Sequence, residues 1–304
     1  MASSKSRIPL PRPKGAGKSG KMRVATAVKG PIVFGVVLPI GSEDLQERLD
    51  RFVWWLNKRA KLDLELREAE SYESLAGDVK KGRVDVAWLP PVVHVRLASE
   101  VSTLGTILRG GRVTYEAALA VRKDSKIKTV LATKGTRAGW VDPWSAAGYV
   151  LPRVSLALLG ADLQGFFASE TFYGSHQATV KALLEGDCDV IGTYARADGK
   201  GKVTGGAWSD VTSGAGAGVE VRVLETFGAI PPDVIATRAG LVEPQRDAIR
   251  GAFQAASETD EGRRLLRAAF GGDTFVEDMQ KSYDSLARAL DVYDKMAASR
   301  GPLR

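Results

Sequence analysis

The sequence predicts an α/β fold. Two observations predict it: short apolar runs that end at turn residues, and amphipathic helical stretches that alternate with them over most of the chain. With 304 residues, 44% hydrophobic and 26% charged, the chain can bury a sizeable core in one large domain or two ordinary ones. That composition excludes wholesale disorder and fibrous repeats. A single Cys excludes an internal disulfide framework and cysteine-only zinc sites.

The elements follow in order. Residues 32–38 form a continuous apolar run before Pro39, the pattern of a buried parallel strand. Ser42 offers an N-cap, Glu43 and Asp44 fill the first turn, and Leu45, Leu49, Phe52, Val53 and Leu56 recur at helical spacing. Residues 62–66 alternate as a strand, 72–81 form a short helix closed at Gly82, and 84–89 form a second buried strand. This β-α-β-α-β order implies a parallel sheet with helices on its faces. Strands are expected at 115–121, 137–141, 166–172 and 188–194, with helices at 145–159 and 176–184. Residues 199–218 are Gly-rich, with Gly214, Gly216 and Gly218 alternating, and read as a loop. Strands at 219–227 and 234–237 precede helices at 244–256, 261–270 and 276–298.

The formal charge of +7 is unevenly spread. Residues 1–30 hold eight Lys or Arg and no Asp or Glu, so the rest of the chain is near −1. With alternating prolines and then Gly, Ser and Lys, the first 30 residues read as a disordered basic arm. Such an arm suits an acidic protein, a nucleic acid or an anionic membrane surface. The near-neutral body does not call for a nucleic-acid-binding face. GAGKSG at 15–20 has Arg12 where a phosphate loop needs Gly, and no strand precedes it. No stretch has the layout of a secretory signal, a lipoprotein anchor or a membrane span, so the expected location is cytoplasmic.

Asp142-Pro143-Trp144 ends a strand and Ser145 opens a helix. A helix N-terminus presents unpaired N–H groups and the positive end of the dipole, which favours anions. Gly174-Ser175-His176 opens the next helix in the same way. Cys188 falls in an apolar strand and reads as a small buried hydrophobe. Two His residues provide no dense ligand cluster, so neither a metal site nor a cofactor is expected.

Four stretches, in order, resemble one family. They are Y-E-S-L-A-G-D-V-K-K-G-R-V-D-V-A-W-L-P-P (72–91), Y-E-A-A-L-A-V-R-K-D-S (115–125), V-D-P-W-S-A-A-G-Y-V-L-P-R (141–153) and F-Y-G-S-H-Q-A-T-V-K-A-L-L-E-G-D-C-D-V (172–190), with A-I-P-P-D-V-I (229–235) beyond them. They resemble phosphonate/phosphate-type solute-binding proteins of ABC transporters, and the likeness spans about 32–300. The resemblance implies a two-lobed type 2 periplasmic-binding-protein-like fold with the ligand cleft between lobes. One lobe would comprise 31–118 plus 228–304 and the other 119–227, joined by a hinge. It also implies non-catalytic binding of a small phosphate- or phosphonate-like anion, with an ABC permease or a signalling protein as partner.

By the same resemblance, Ser145, Ala146, Ala147 and Gly148 form the anion-binding turn. His176 and Ser175 contact the oxyanion, Tyr115 is a cleft aromatic, and His94 stands where the family commonly has a cleft Tyr. The family's Ser-Thr-Ser-Gly is here Ser145-Ala146-Ala147-Gly148, without two hydroxyls. At about 1.5–3 kcal/mol per hydrogen bond to a charged group, the loss amounts to about two to four decades of affinity. Arg137 and Arg153 are candidates to compensate. These departures, with the absence of a recognisable export signal, suggest an intracellular sensor or a protein-interaction module using the arm as alternatives. An enzyme of the same fold, of thiamine-precursor or menaquinone type, is a third.

Overall fold

The computed structural model describes residues 30–38, 43–212, 221–277 and 283–298. Residues 1–29 of the basic arm, the Ser42 cap, and Gly214, Gly216 and Gly218 lie outside them.

Two mixed sheets organise the chain. The first contains β1 (Ile32–Val37), β2 (Leu64–Ala69), β3 (Val86–Leu89), β4 (Val101–Leu108), β11 (Val234–Arg238) and β12 (Thr274–Val276), in the order β12-β4-β11-β3-β1-β2. β1 pairs parallel with β2 and β3, as a βαβ crossover through α1 (Glu43–Ala60) and α2 (Tyr72–Lys80) requires. The expectation of a parallel sheet holds only for this part. β11 inserts between β3 and β4 and runs antiparallel to both, because the chain enters it returning from the second sheet. β4, rich in Ser, Thr and Gly, and α3 (Pro91–Arg96) carry no clear periodic signal.

The second sheet is β10-β5-β8-β6-β7, formed by β10 (Val221–Ile230), β5 (Tyr115–Arg122), β8 (Val190–Ala197), β6 (Arg137–Trp140) and β7 (Ser169–Phe172), with β9 (Val203–Gly206) off β8. β9 and α6 (Ala207–Thr212) occupy a stretch read as loop. Their glycines sit where the backbone is crowded: a Cβ on Gly206 would lie 2.3 Å from the Trp208 ring. The expected helix at 276–298 begins as β12 and continues, beyond undescribed residues, as α9 (Asp284–Ala298).

Each sheet has its own core. On the first, α7 (Glu243–Glu258) and α8 (Asp260–Phe270) deliver Phe253 and Phe270 against Phe34 and Phe52, with Phe52 and Phe270 edge-to-face at 5.2 Å. Fully burying each ring contributes about 1.5–3 kcal/mol. On the second, Trp140 is fully buried against Tyr149 and Phe167, and its indole N–H donates to Glu170 at 2.7 Å. α9 lays Leu286 and Leu290 into this second core, although the chain has by then returned to the first sheet. No helix among the described residues is long and apolar enough to cross a membrane.

Candidate functional site

A cavity of about 640 Å³ lies between the two sheets. The second-sheet wall is built from helix starts. After β6, the Asp142 carboxylate accepts the Trp144 N–H at 2.7 Å and the Asp142 carbonyl accepts the Ser145 N–H at 2.9 Å, which turns the chain. Ser145, 3% exposed, caps the helix, with its Oγ accepting the Gly148 N–H at 3.0 Å.

The straight helix expected at 145–159 instead opens with a wide turn. The Ser145 carbonyl accepts from Val150 at 2.9 Å and Tyr149 at 3.1 Å across Ala146–Val150, before α4 (Leu151–Leu158) continues. Gly148 permits this, since a Cβ there would lie 2.4 Å from Val141 Cγ2 and 2.8 Å from Ser145 Oγ. Such wide turns are frequent at functional sites.

α5 (His176–Glu185) begins similarly. Gly174 takes φ +79°, and Ser175 Oγ accepts the Ala178 N–H at 3.1 Å. His176 Nδ1 lies 3.0 Å from Thr193 Oγ1, and its ring meets Tyr194 edge-on at 4.9 Å. Burial, and then the Arg109 charge, lower the His176 pKa to about 4, so the imidazole is neutral at pH 7.

The first-sheet wall is mostly apolar. Val37, Trp88, Pro90 and Phe270 line it, with Trp88 edge-to-face on Phe270 at 4.9 Å. Arg109 leaves the end of β4 and enters the cavity. Its Nη2 donates to Asp233 at 3.1 Å and its Nε to the Phe270 carbonyl at 2.8 Å. Its side chain, 43% exposed, lines the cavity. Burial pulls the guanidinium's pKa down, and the charge and hydrogen bond of Asp233 outweigh that, so the net shift is upward. Burial and then Asp233 raise the pKa of Tyr115 well above the usual phenol value, keeping it neutral.

The walls also touch. Arg96 on α3 sets its guanidinium 4.9 Å from the Trp144 ring centre. Burial raises the pKa of Asp142, although the Trp144 N–H donates to its carboxylate.

The cavity therefore gathers Ser145, Ala146, Ser175, His176 and Tyr115 from the sequence-predicted set. Ala147 and Gly148 are buried behind that turn and do not line the cavity. His94 is not in the lining. It is 8% exposed, with Nε2 2.9 Å from Thr103 Oγ1 and its ring 4.6 Å from Tyr283, and burial lowers its pKa to about 4. Arg137 and Arg153 are engaged elsewhere, with Asp189 at 2.8 Å and with Glu170. Sequence reasoning missed Arg109, Asp233, Trp88 and Tyr194. Burial pushes the Cys188 thiol up to about 12, as expected for a packing residue. No group of acids, His and Cys that could hold a metal exists among the described residues.

Two mixed α/β sheets with a cavity between them make up the type 2 periplasmic-binding-protein fold. The chain belongs to the family described as ABC transporter, phosphonate, periplasmic substrate-binding protein, which matches residues 34–283.

The chain is 26% identical over 185 residues to the phosphate-import protein PhnD of Mycolicibacterium smegmatis. That match covers 56% of this chain and 58% of the relative's length. Among solved structures, a binding protein component of an ABC phosphonate transporter from Pseudomonas aeruginosa superposes with a TM-score of 0.74 at 19% identity, covering 91% of each chain. PhnD1 from Prochlorococcus marinus, in complex with methylphosphonate, superposes with 0.69 at 15% identity, covering 87% of this chain and 98% of that one. At these identities the structural likeness establishes the fold.

Proposed function

We propose that the chain is the solute-binding component of an ABC importer and holds a phosphate- or phosphonate-like oxyanion in the inter-sheet cavity without transforming it. One observation carries the reading: two Ser-capped helix starts, at Ser145 and Ser175, open into the same cavity as Arg109. Exposed N–H groups at helix starts and a guanidinium supply hydrogen bonds and positive charge to an anion. Ser145, Ala146, Ser175, His176 and Tyr115 are the contacts on the second-sheet wall. Ala147 and Gly148 contribute backbone, and His94 acts only through packing.

We take the two lobes to be 31–118 plus 228–304 and 119–227, hinged at the connections around β5 and β10. The family's description favours a periplasmic address and an ABC permease as partner over the cytoplasmic address expected from sequence alone. Subcellular fractionation of the native protein tests that address.

Ligand binding to the folded state stabilises it by about 2.7 kcal/mol at a hundredfold excess over Kd. Thermal unfolding of the full chain with phosphate, methylphosphonate, methanesulfonate and acetate should therefore move upward for the first two. A midpoint that ignores all four anions would remove the reading.

A further inference from the structure

The two walls of the cavity differ in a way that an oxyanion alone does not explain. The first-sheet wall presents Trp88, Phe270, Pro90 and Val37, whereas the helix starts lie on the second. A volume of about 640 Å³ falls in the range of about 300–1,000 Å³ that holds organic ligands. A tetrahedral oxyanion displaces only a few waters, at about 30 Å³ each. The walls already touch beside the cavity, where Arg96 of α3 packs on the Trp144 ring at 4.9 Å. With a small anion bound, most of the cavity would still hold water against rings. Arg109, Arg112 and Arg196 are among the lining residues, with Arg109 paired to Asp233 and His176 neutral.

We propose that the ligand is an organic phosphonate or phosphate with a flat apolar group, its dianionic head at the Ser145 and Ser175 helix starts and its ring against Trp88. This rests on the anion-binding reading above. A ring on the first-sheet wall buries apolar surface, while the helix-start amides and the guanidinium of Arg109 suit an ionised head. Trp88 then acts as the specificity determinant, because Phe270 and Arg109 brace it at 4.9 and 5.9 Å.

Isothermal titration of the full chain with methylphosphonate, inorganic phosphate and phenylphosphonate tests the assignment, with benzyl alcohol as the uncharged ring. Phenylphosphonate should bind at least tenfold more tightly than methylphosphonate, and benzyl alcohol should not bind measurably. In Trp88→Ala that ratio should collapse toward one, and Trp88→Phe should keep most of it. Phenylphosphonate binding no more tightly than methylphosphonate to the natural chain would overturn this inference and leave the anion-binding reading intact, and so would an unchanged ratio in a folded Trp88→Ala protein. Binding of none of the anions would overturn both. If Trp88→Ala does not fold, the ratio in the natural chain decides alone.

Discussion

The second-sheet wall of the cavity works through backbone, and the first-sheet wall works through side chains. Ser145 and Ser175 each cap a helix whose next N–H groups open into the cavity, and neither wall position carries a charged side chain. Across from them, Trp88, Phe270 and Pro90 offer shape, and Arg109, held by Asp233, presents a guanidinium. The difference teaches that an anion site on a near-neutral body would rest on local donors, the helix-start amides and the cavity's guanidinium groups. The lost hydroxyls at Ala146 and Ala147 therefore leave the wall's main donors, which are amides, in place.

The comparison breaks most severely at Gly148. Gly148→Val forces a Cβ to within 2.4 Å of Val141 and must distort the wide turn. Overpacking of this kind costs about 1–3 kcal/mol, so urea unfolding should register a loss at the upper end, and anion binding should vanish with it. Arg109→Met removes the first wall's cation. At about 1.5–3 kcal/mol for hydrogen bonds to a charged group, anion affinity in titration calorimetry should fall by one to two decades.

Ser145→Ala and Ser175→Ala each remove a cap worth about 1 kcal/mol, and thermal unfolding should fall by similar amounts in the two. A much larger loss at one of them would mean that the two helix starts are not equivalent.

A further test is titration. His94 and His176 have folded-state pKa values near 4, below the ordinary 6.5, so the unfolded chain takes up protons that the folded chain does not. Stability is then intact above about pH 6.5 and declines as pH falls toward about 4. His176→Gln should flatten part of that decline in a pH series of unfolding midpoints.

The helix starts were legible because a strand end followed by Asp-Pro-Trp-Ser or Gly-Ser-His has a local meaning. The fold class was legible for the same reason, since alternation of strand and helix is written in apolar spacing. Arg109 and Asp233 were not legible. They meet across 124 residues, and the strand that delivers Arg109, Val101–Leu108, is half Ser, Thr and Gly. The wide turn at Ala146–Val150 keeps helical spacing in its side chains, so only Gly148 hinted at it. Arg137 and Arg153 were misjudged because nothing local announces that Asp189 and Glu170 engage them.

Asp142 has one more consequence. Its carboxylate accepts the Trp144 N–H at 2.7 Å and its carbonyl accepts the Ser145 N–H at 2.9 Å, so one residue closes the turn that sets the Ser145 helix start. Groups tethered in one chain act at an effective concentration that free solutes rarely match. That turn is therefore already in place when a solute arrives.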